Sequence, residues 1–246
     1  MNKKDFSISV CMATYNGIHF IEAQLNSILP QLAETDELII SDDHSTDGTW
    51  DYLTKRQQED TRIQLHLNPQ KGLTKNFENA ISRSQNELIF LSDQDDVWAT
   101  EKVAVTKEYF AKAPDKTVII SDLMIVDNDF NEVISSYQKM RHTKNGFWAN
   151  LIRSSYIGAG MAFRKSLTQL ILPIPTDVPM HDMWIGLLAD SQKGVQFIPE
   201  KLVYYRRHDF NVSEIKTTAN KKQQFIWRWQ ALKLVRQRIR EFKKNH

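Results

Sequence analysis

Three carboxylates, Asp93, Asp95 and Asp96, fall within four positions directly after the apolar run Leu88-Ile89-Phe90-Leu91. A short apolar run reads as a buried strand, and an ionised carboxylate beside a low-dielectric core is strongly disfavoured unless something offsets its charge. Side chains alternate along a strand with a period of two, so Asp93 and Asp95 project to the same side at its exit. Two oxygens delivered together suit a hard divalent cation such as Mg²⁺ or Mn²⁺, which commonly shares its shell with substrate phosphates. The residues alone therefore point to a metal–diphosphate site at the carboxyl end of a central strand. A solvated acidic turn is the plain alternative, and the apolar strand in front of it argues against that.

Two more polar clusters follow apolar runs in the same way. Thr14-Tyr15-Asn16-Gly17 succeeds a strand at Ile8–Ala13, with Gly17 a natural place for unusual backbone angles, and Asp42-Asp43-His44-Ser45-Thr46-Asp47-Gly48 succeeds a strand at Glu37–Ser41. Between them, Ile21, Leu25, Ile28, Leu29 and Leu32 recur at helical spacing, so 18–32 is read as a helix. A helix over 49–58, a strand over 63–67, a helix over 73–82 and the strand entering Asp93 continue the alternation. Four such alternations predict an α/β fold with a mainly parallel sheet covered on both faces. Ligands in such sheets bind at the carboxyl ends of the strands, where all three polar clusters converge. Further on the pattern predicts a helix over 101–112, strands at 118–120 and within 123–134 with a hairpin at Asp127-Asn128-Asp129, and a short helix over 147–153. A strand over 156–163 follows, its Gly158 and Gly160 allowing close backbone approach. Pro173, Pro175 and Pro179 then introduce a helix running to about Asp190, and strands are expected at 194–198 and 201–205.

The bulk composition is that of a globular protein: 246 residues, 41% hydrophobic and 25% charged, enough for one sizeable domain and an appendage. The single cysteine, Cys11, forbids an intramolecular disulfide and favours a reducing compartment. Met1–Phe6 lacks the apolar stretch of a signal peptide, and no run approaches the roughly 20 apolar residues of a spanning helix. A cytoplasmic protein is expected. The net charge of +2 hides an asymmetry: nine Lys/Arg against one acid over 219–246, and 23 against 29 over the preceding residues. Basic character thus belongs to the tail, and the acidic body argues against a nucleic-acid partner. Within 221–244, Phe225, Trp229, Leu232, Val235, Ile239 and Phe242 recur at three- and four-residue spacing, interrupted by Arg228 and Arg236. That predicts a helix, either seated at an anionic membrane surface or packed on the body or a second subunit.

Taken in order, Ala13-Thr14-Tyr15-Asn16-Gly17, Asp42-Asp43-His44-Ser45-Thr46-Asp47-Gly48, Ser92-Asp93-Gln94-Asp95-Asp96-Val97-Trp98, His181-Asp182-Met183-Trp184 and Tyr205-Arg206-Arg207-His208 resemble the family-2 glycosyltransferases over roughly residues 7–212. The resemblance implies a GT-A-type α/β/α sandwich with a mainly parallel central mixed sheet, occupying 1–212, with 213–246 as a basic helical extension. It also implies inverting, metal-dependent transfer from a nucleoside-diphosphate sugar, most like bacterial rhamnosyltransferases and enzymes of O-antigen, capsule and cell-wall polysaccharide assembly. The donor expected is dTDP-rhamnose or a UDP-hexose. The acceptor expected is a hydroxyl of a growing, lipid-linked polysaccharide at the inner face of the cytoplasmic membrane; a homodimer is left open.

On that resemblance Thr14, Tyr15, Asn16, Asp42 and Asp43 border the nucleotide, with Asp42 accepting the imide N–H of uracil or thymine. Lys75 and Asn76 match a position that contacts the nucleotide or diphosphate. Asp93 binds the ribose or the metal, Asp95 binds the metal (Mg²⁺ or Mn²⁺), Asp96 could replace either, and His208 is a third metal ligand. Asp182 is the general base, and Trp98, Gly158, His181 and Trp184 are candidates around the sugar or acceptor. Met183 and Arg207 depart from the rhamnosyltransferase-like pattern, which bears on the sugar more than on the reaction. Two other readings compete. One is a haloacid-dehalogenase-like phosphatase with Asp93 as nucleophile, which leaves the clusters at 14–17 and 42–48 unused. The other is a non-catalytic nucleotide-sugar-binding module, which has no need of Asp182.

Overall fold

A computed structural model describes residues 5–207 and 221–245. The strands are β1 (Ile8–Thr14), β2 (Glu37–Asp42), β3 (Ile63–Leu67), β4 (Leu88–Asp93), β5 (Val97–Trp98), β6 (Val118–Val126), β7 (Glu132–Ile134), β8 (Met161–Arg164) and β9 (Val195–Arg206). The helices are α1 (Ile21–Ile28), α2 (Thr49–Glu59), α3 (Leu73–Arg83), α4 (Lys102–Lys112), α5 (Tyr137–Arg141), α6 (Phe147–Ile152), α7 (Thr168–Ile171), α8 (His181–Asp190) and α9 (Lys221–Asn245). Among the described residues one sheet runs β3-β2-β1-β4-β8-β6-β9-β5, with β7 paired to β6. Its first four strands are parallel, β8 runs antiparallel between β4 and β6, and β9 lies parallel to β6.

Period-two alternation sorts β1 onto two cores. Val10 and Met12 face the layer of α1, α2 and α4 with Leu25, Ile28, Leu53 and Phe110. Cys11 and Ala13 face the layer of α3 and α8 with Phe77, Ala80, Trp184 and Leu188. β1 and β4 are buried along almost their whole length, as strands covered on both faces must be. The predicted α/β/α sandwich is the observed one.

Several elements differ from the sequence reading. The strands expected at 194–198 and 201–205 are one strand, β9, which bulges where Ile198 pairs with Ser121 and Lys201 with Asp122. Pro199 within that bulge has no N–H to give, so the ladder skips it without ending. The expected strand at 156–163 joins the sheet only from Met161; Gly158–Gly160 form a 3₁₀ turn. β6 runs unbroken through Ser121 and Asp122, because the buried Asp122 carboxylate accepts from Ser136 Oγ and the Gln138 backbone N–H. Those same bonds anchor α5, a helix with no apolar periodicity to announce it.

The apolar stripe expected along the tail helix is split. Val235 and Ala231 are buried and Phe242 and Ile239 pack against the core, whereas Phe225 and Trp229 face outward. The inward side is the one that packs on α6, α7 and α8.

Candidate active site

The carboxyl ends of β1 and β4, with the segments that follow β2, β6 and β9, open into one cavity of about 860 Å³, within the range of small-molecule sites. Asp43, Asp93, Asp95 and Asp182 all line it. So do Thr14, Tyr15, Asn16, Asn76, Gly158 and His181.

The rim of the cavity at the β1 exit is built by exchange of side-chain bonds between strand exits. Gln94 clasps the backbone of Tyr15, its Oε1 accepting from Tyr15 N at 2.8 Å and its Nε2 donating to Tyr15 O at 2.9 Å. This bond pair locks the β1 exit to the acidic loop. A Cβ at Gly17 would lie 2.2 Å from Gln94 Oε1, so Gly17 is needed for room; the left-handed backbone belongs to Asn16, at φ 47°. Asn16 Oδ1 accepts from Thr46 N, and Asn16 N donates to Ser45 Oγ.

Asp42 does not reach the cavity. Its carboxylate is fully buried and accepts from Thr14 Oγ1, Ser45 N and Ser45 Oγ, so no oxygen is presented to a base. Asp43 lines the cavity in its place, oriented by donation from Asn68 Nδ2 and Gly72 N. Lys75 is likewise directed elsewhere, its Nζ donating to Glu78 and to the Ile174 carbonyl. Asn76 donates to the Thr14 carbonyl, and its Oδ1 is buried without a partner.

At the floor, Gln24 of α1 donates to Ser92 Oγ and to the Asp93 carbonyl, which fixes the end of β4. Burial, then the neighbouring Asp95 and Asp182 charges, raise the Asp93 carboxyl to about 7, with Lys102 pulling the other way. Asp96 turns inward beneath the floor: Arg206 N donates to its Oδ1 at 3.2 Å, and its Oδ2 has no partner. Asp95 is therefore the acid that faces the cavity beside Asp93.

Lys102 was not singled out from sequence. It is fully buried, its Nζ donates to the Ala159 carbonyl at 2.6 Å and sits 4.4 Å from the Trp98 ring centroid. Burial lowers it to about 7 against the pull of Asp96 and Asp93. The acid cluster is thus only partly offset, which is the electrostatic setting for a cation. Among the described residues no three His, Cys, Asp or Glu side chains are arranged to enclose a metal. Asp93 and Asp95 are hard oxygen donors side by side on the cavity, the donor type of Mg²⁺ or Mn²⁺, ions that keep waters and complete their shell with phosphate oxygens. His208, expected as a third ligand, lies outside the described residues.

Across the cavity, Asp182 occupies the first turn of α8 and accepts from the backbone N–H groups of Met183 and Gly158. Burial raises it to about 6 in spite of those bonds. His181 stacks on Phe77 at 4.1 Å with neither ring nitrogen bonded, and burial lowers it to about 3, so it is neutral. A Cβ at Gly158 would lie 2.9 Å from its Nε2, so only glycine lets the chain cross there. Trp98 and Trp184 do not face the cavity. Trp98 packs on Phe90, and Trp184 donates its indole N–H to the Ile171 carbonyl beneath the Arg238 guanidinium. Both are core aromatics.

The remaining wall includes Tyr137 and Arg141 of α5, Ser154, Met183, Tyr205 and Arg207. Arg141 is near enough to pull the Asp182 carboxyl down. Met183 and Arg207, noted as departures from pattern, thus stand on the cavity, whereas Arg141 lay in a stretch with no motif.

Comparison with known proteins places this arrangement. The family model described as glycosyl transferase family 2 matches residues 9–172. A UDP-Glc:α-D-GlcNAc-diphosphoundecaprenol β-1,3-glucosyltransferase of Escherichia coli, WfaP, is 28% identical over 93% of this chain and 86% of its own. The putative teichuronic acid biosynthesis glycosyltransferase TuaG of Bacillus subtilis is 27% identical over 90% and 87%. A dTDP-rhamnosyl transferase of Shigella flexneri, RfbG, is 39% identical over 37% of this chain and 34% of its own. Among solved structures, S. aureus TarS 1-349 in complex with UDP superposes with a TM-score of 0.69 at 17% identity, covering 95% of this chain and 65% of that one. The Pyrobaculum calidifontis mannosyltransferase PcManGT, in complex with GDP-Man and Mn2+, gives 0.60 at 20% identity over 92% and 62%. With these strand-exit loops and a family model spanning both the β1-exit rim and the acidic loop, the chain belongs to glycosyl transferase family 2.

Proposed function

We propose that this glycosyltransferase moves a sugar, with inversion, from a nucleoside-diphosphate donor (dTDP-rhamnose or a UDP-hexose) to a hydroxyl of a lipid-linked bacterial surface-polysaccharide precursor. The observation that carries it is the sharing of one cavity by Asp43, the Asp93–Asp95 pair and Asp182. The names of the WfaP and TuaG relatives support a polysaccharide precursor as acceptor, and the RfbG match supports dTDP-rhamnose as a donor to test.

In this reading Asp43 and the Thr14–Asn16 rim hold the nucleoside, and Asp93 and Asp95 would hold a divalent cation. Bound there, the cation offsets charge on the departing nucleoside diphosphate. Asp182, ionised at neutral pH, takes the proton of the acceptor hydroxyl as that oxygen bonds to the anomeric carbon. The bond from that carbon to the diphosphate oxygen breaks on the opposite face, and its electron pair leaves with the diphosphate. The backbone N–H groups of Gly158 and Met183 hold the carboxylate in place. Arg141, Tyr137 and Arg207 wall the acceptor side.

The test is transfer from a panel of UDP- and dTDP-sugars to a polyprenyl-diphosphate-linked saccharide, with the product's anomeric configuration read by NMR. Inverted product from one donor is expected. Retained configuration would overturn the assignment of Asp182. Nucleotide-sugar binding without transfer to any acceptor would favour a binding module.

A further inference from the structure

We propose that the outward face of α9 is a docking surface for an anionic lipid bilayer, on which the helix lies in the plane of the headgroups. The inward face fixes how the helix is turned. Ala231 and Val235 are buried, and Arg238 donates to the carbonyls of Leu170, Leu172 and Pro173. Successive helical residues step by about 100°, so the opposite face carries Phe225, Trp229, Lys233, Arg236, Arg240 and Lys243. They recur every third or fourth residue, aromatic at one end of the stripe and cationic along the rest.

The aromatic end is uncovered: Phe225 is 68% exposed and Trp229 57%. Ile226 and Trp227, each 37% exposed, flank them, and the Lys233 ammonium lies 5.6 Å from the Trp229 ring centroid. α6, which packs on α9, exposes Trp148 at 61% and Ile152 at 63%. Uncovered aromatics clustered with cations mark a binding surface, not scattered surface apolar residues.

Charge selects the occupant. Residues 219–246 hold nine basic residues and one acid, and a second copy would bring the same positive stripe against itself. An anionic bilayer takes both halves of the stripe at once, with Trp and Phe at headgroup depth and Lys and Arg on lipid phosphates. No helix among the described residues is long and apolar enough to cross a membrane, so the contact is in-plane. The next residues after α6, including Ser154 and Tyr156, line the cavity. Arg141, assigned to the acceptor side, donates to the Ser154 carbonyl just past α6, so a bilayer at α6 and α9 adjoins that side of the cavity. The inference goes beyond the transfer reaction, and its test reads binding alone.

The experiment is cosedimentation of the full chain with vesicles of phosphatidylcholine alone or mixed with phosphatidylglycerol, at low and high salt. Binding is expected to the mixed vesicles only, weakened by salt, with a blue shift of tryptophan emission. Replacing Lys233, Arg236 and Arg240 together by Gln should weaken it on the order of 100-fold. The pair Phe225→Ser and Trp229→Ser should weaken binding and diminish the blue shift, Trp227 and Trp148 remaining, while both variants keep the wild-type melting temperature and nucleotide affinity. Absence of binding to the mixed vesicles, or binding that both variants leave intact, overturns the proposal. So does a dimer in solution that the same variants dissociate, which would give the face to a second copy.

Discussion

With Asp182 as the proposed general base, its surroundings set the pH dependence of transfer. Burial in the first turn of α8 raises its carboxyl from 3.8 to about 6. A general base works only when deprotonated, so activity is lost as pH falls through that value. With a pKa near 6, roughly 90% of the carboxylate is ionised at pH 7 and roughly 10% at pH 5, about a tenfold loss of rate. A carboxyl at the ordinary value would still be mostly ionised at pH 5, and the rate would hardly change. The assay is kcat for transfer to a soluble acceptor analogue between pH 5 and pH 8, at saturating donor and divalent cation. The expected profile falls with unit slope below about pH 6. Asp182→Asn should lower kcat by about 10²- to 10⁴-fold and remove the pH dependence while leaving donor affinity unchanged. A flat profile down to pH 5, or an Asn variant that retains the wild-type rate, would refute this use of Asp182.

Other substitutions separate groups that touch the ligands from groups that position them. Gly17→Ala sets a Cβ against Gln94 Oε1 at 2.2 Å and must break the clasp on Tyr15. It should cost about 1–3 kcal/mol of stability and raise the donor KM, and adding Gln94→Ala should restore part of the stability. Lys102→Met leaves Asp93 and Asp96 without their buried counter-charge and should destabilise the protein by about 3–5 kcal/mol; an unchanged denaturation midpoint would show the ammonium to be dispensable. Trp184→Phe loses the indole bond to the Ile171 carbonyl and should cost about 1–3 kcal/mol with every KM unchanged. A KM shift without loss of stability would return that ring to the substrate.

The sequence was most legible where strand burial and chain order decide the outcome. β1, β2 and β4 are apolar runs followed at once by polar clusters, and in a parallel sheet their ends must meet at one rim. What sequence could not show was which member of each acidic cluster turns outward. Asp42 is the last residue of β2 and is consumed by Thr14 and Ser45, whereas Asp43, one position later, reaches the cavity. Asp95 and Asp96 divide in the same way, because the Arg206 backbone ties Asp96 inward. α5 was invisible since its five residues are held by tertiary bonds to Asp122 and not by an apolar stripe, so Arg141 was missed with it. Trp98 and Trp184 read from sequence either as walls for a sugar or, the favoured reading for each alone, as core aromatics, and packing settles them in the core. Pro199 divided β9 on paper, where a bulge carries the strand past it.

The central claim is that Asp93 and Asp95 hold a divalent cation against the donor's diphosphate in the cavity that Asp182 also lines. Calorimetric titration of UDP and dTDP into the protein, with Mn²⁺ or with chelator, tests it most directly. One nucleotide should bind, chelation or Asp95→Asn should weaken it about 10- to 100-fold, and Asp182→Asn should leave its affinity unchanged. Nucleotide binding indifferent to the cation and to Asp95, or lost with Asp182, would contradict it.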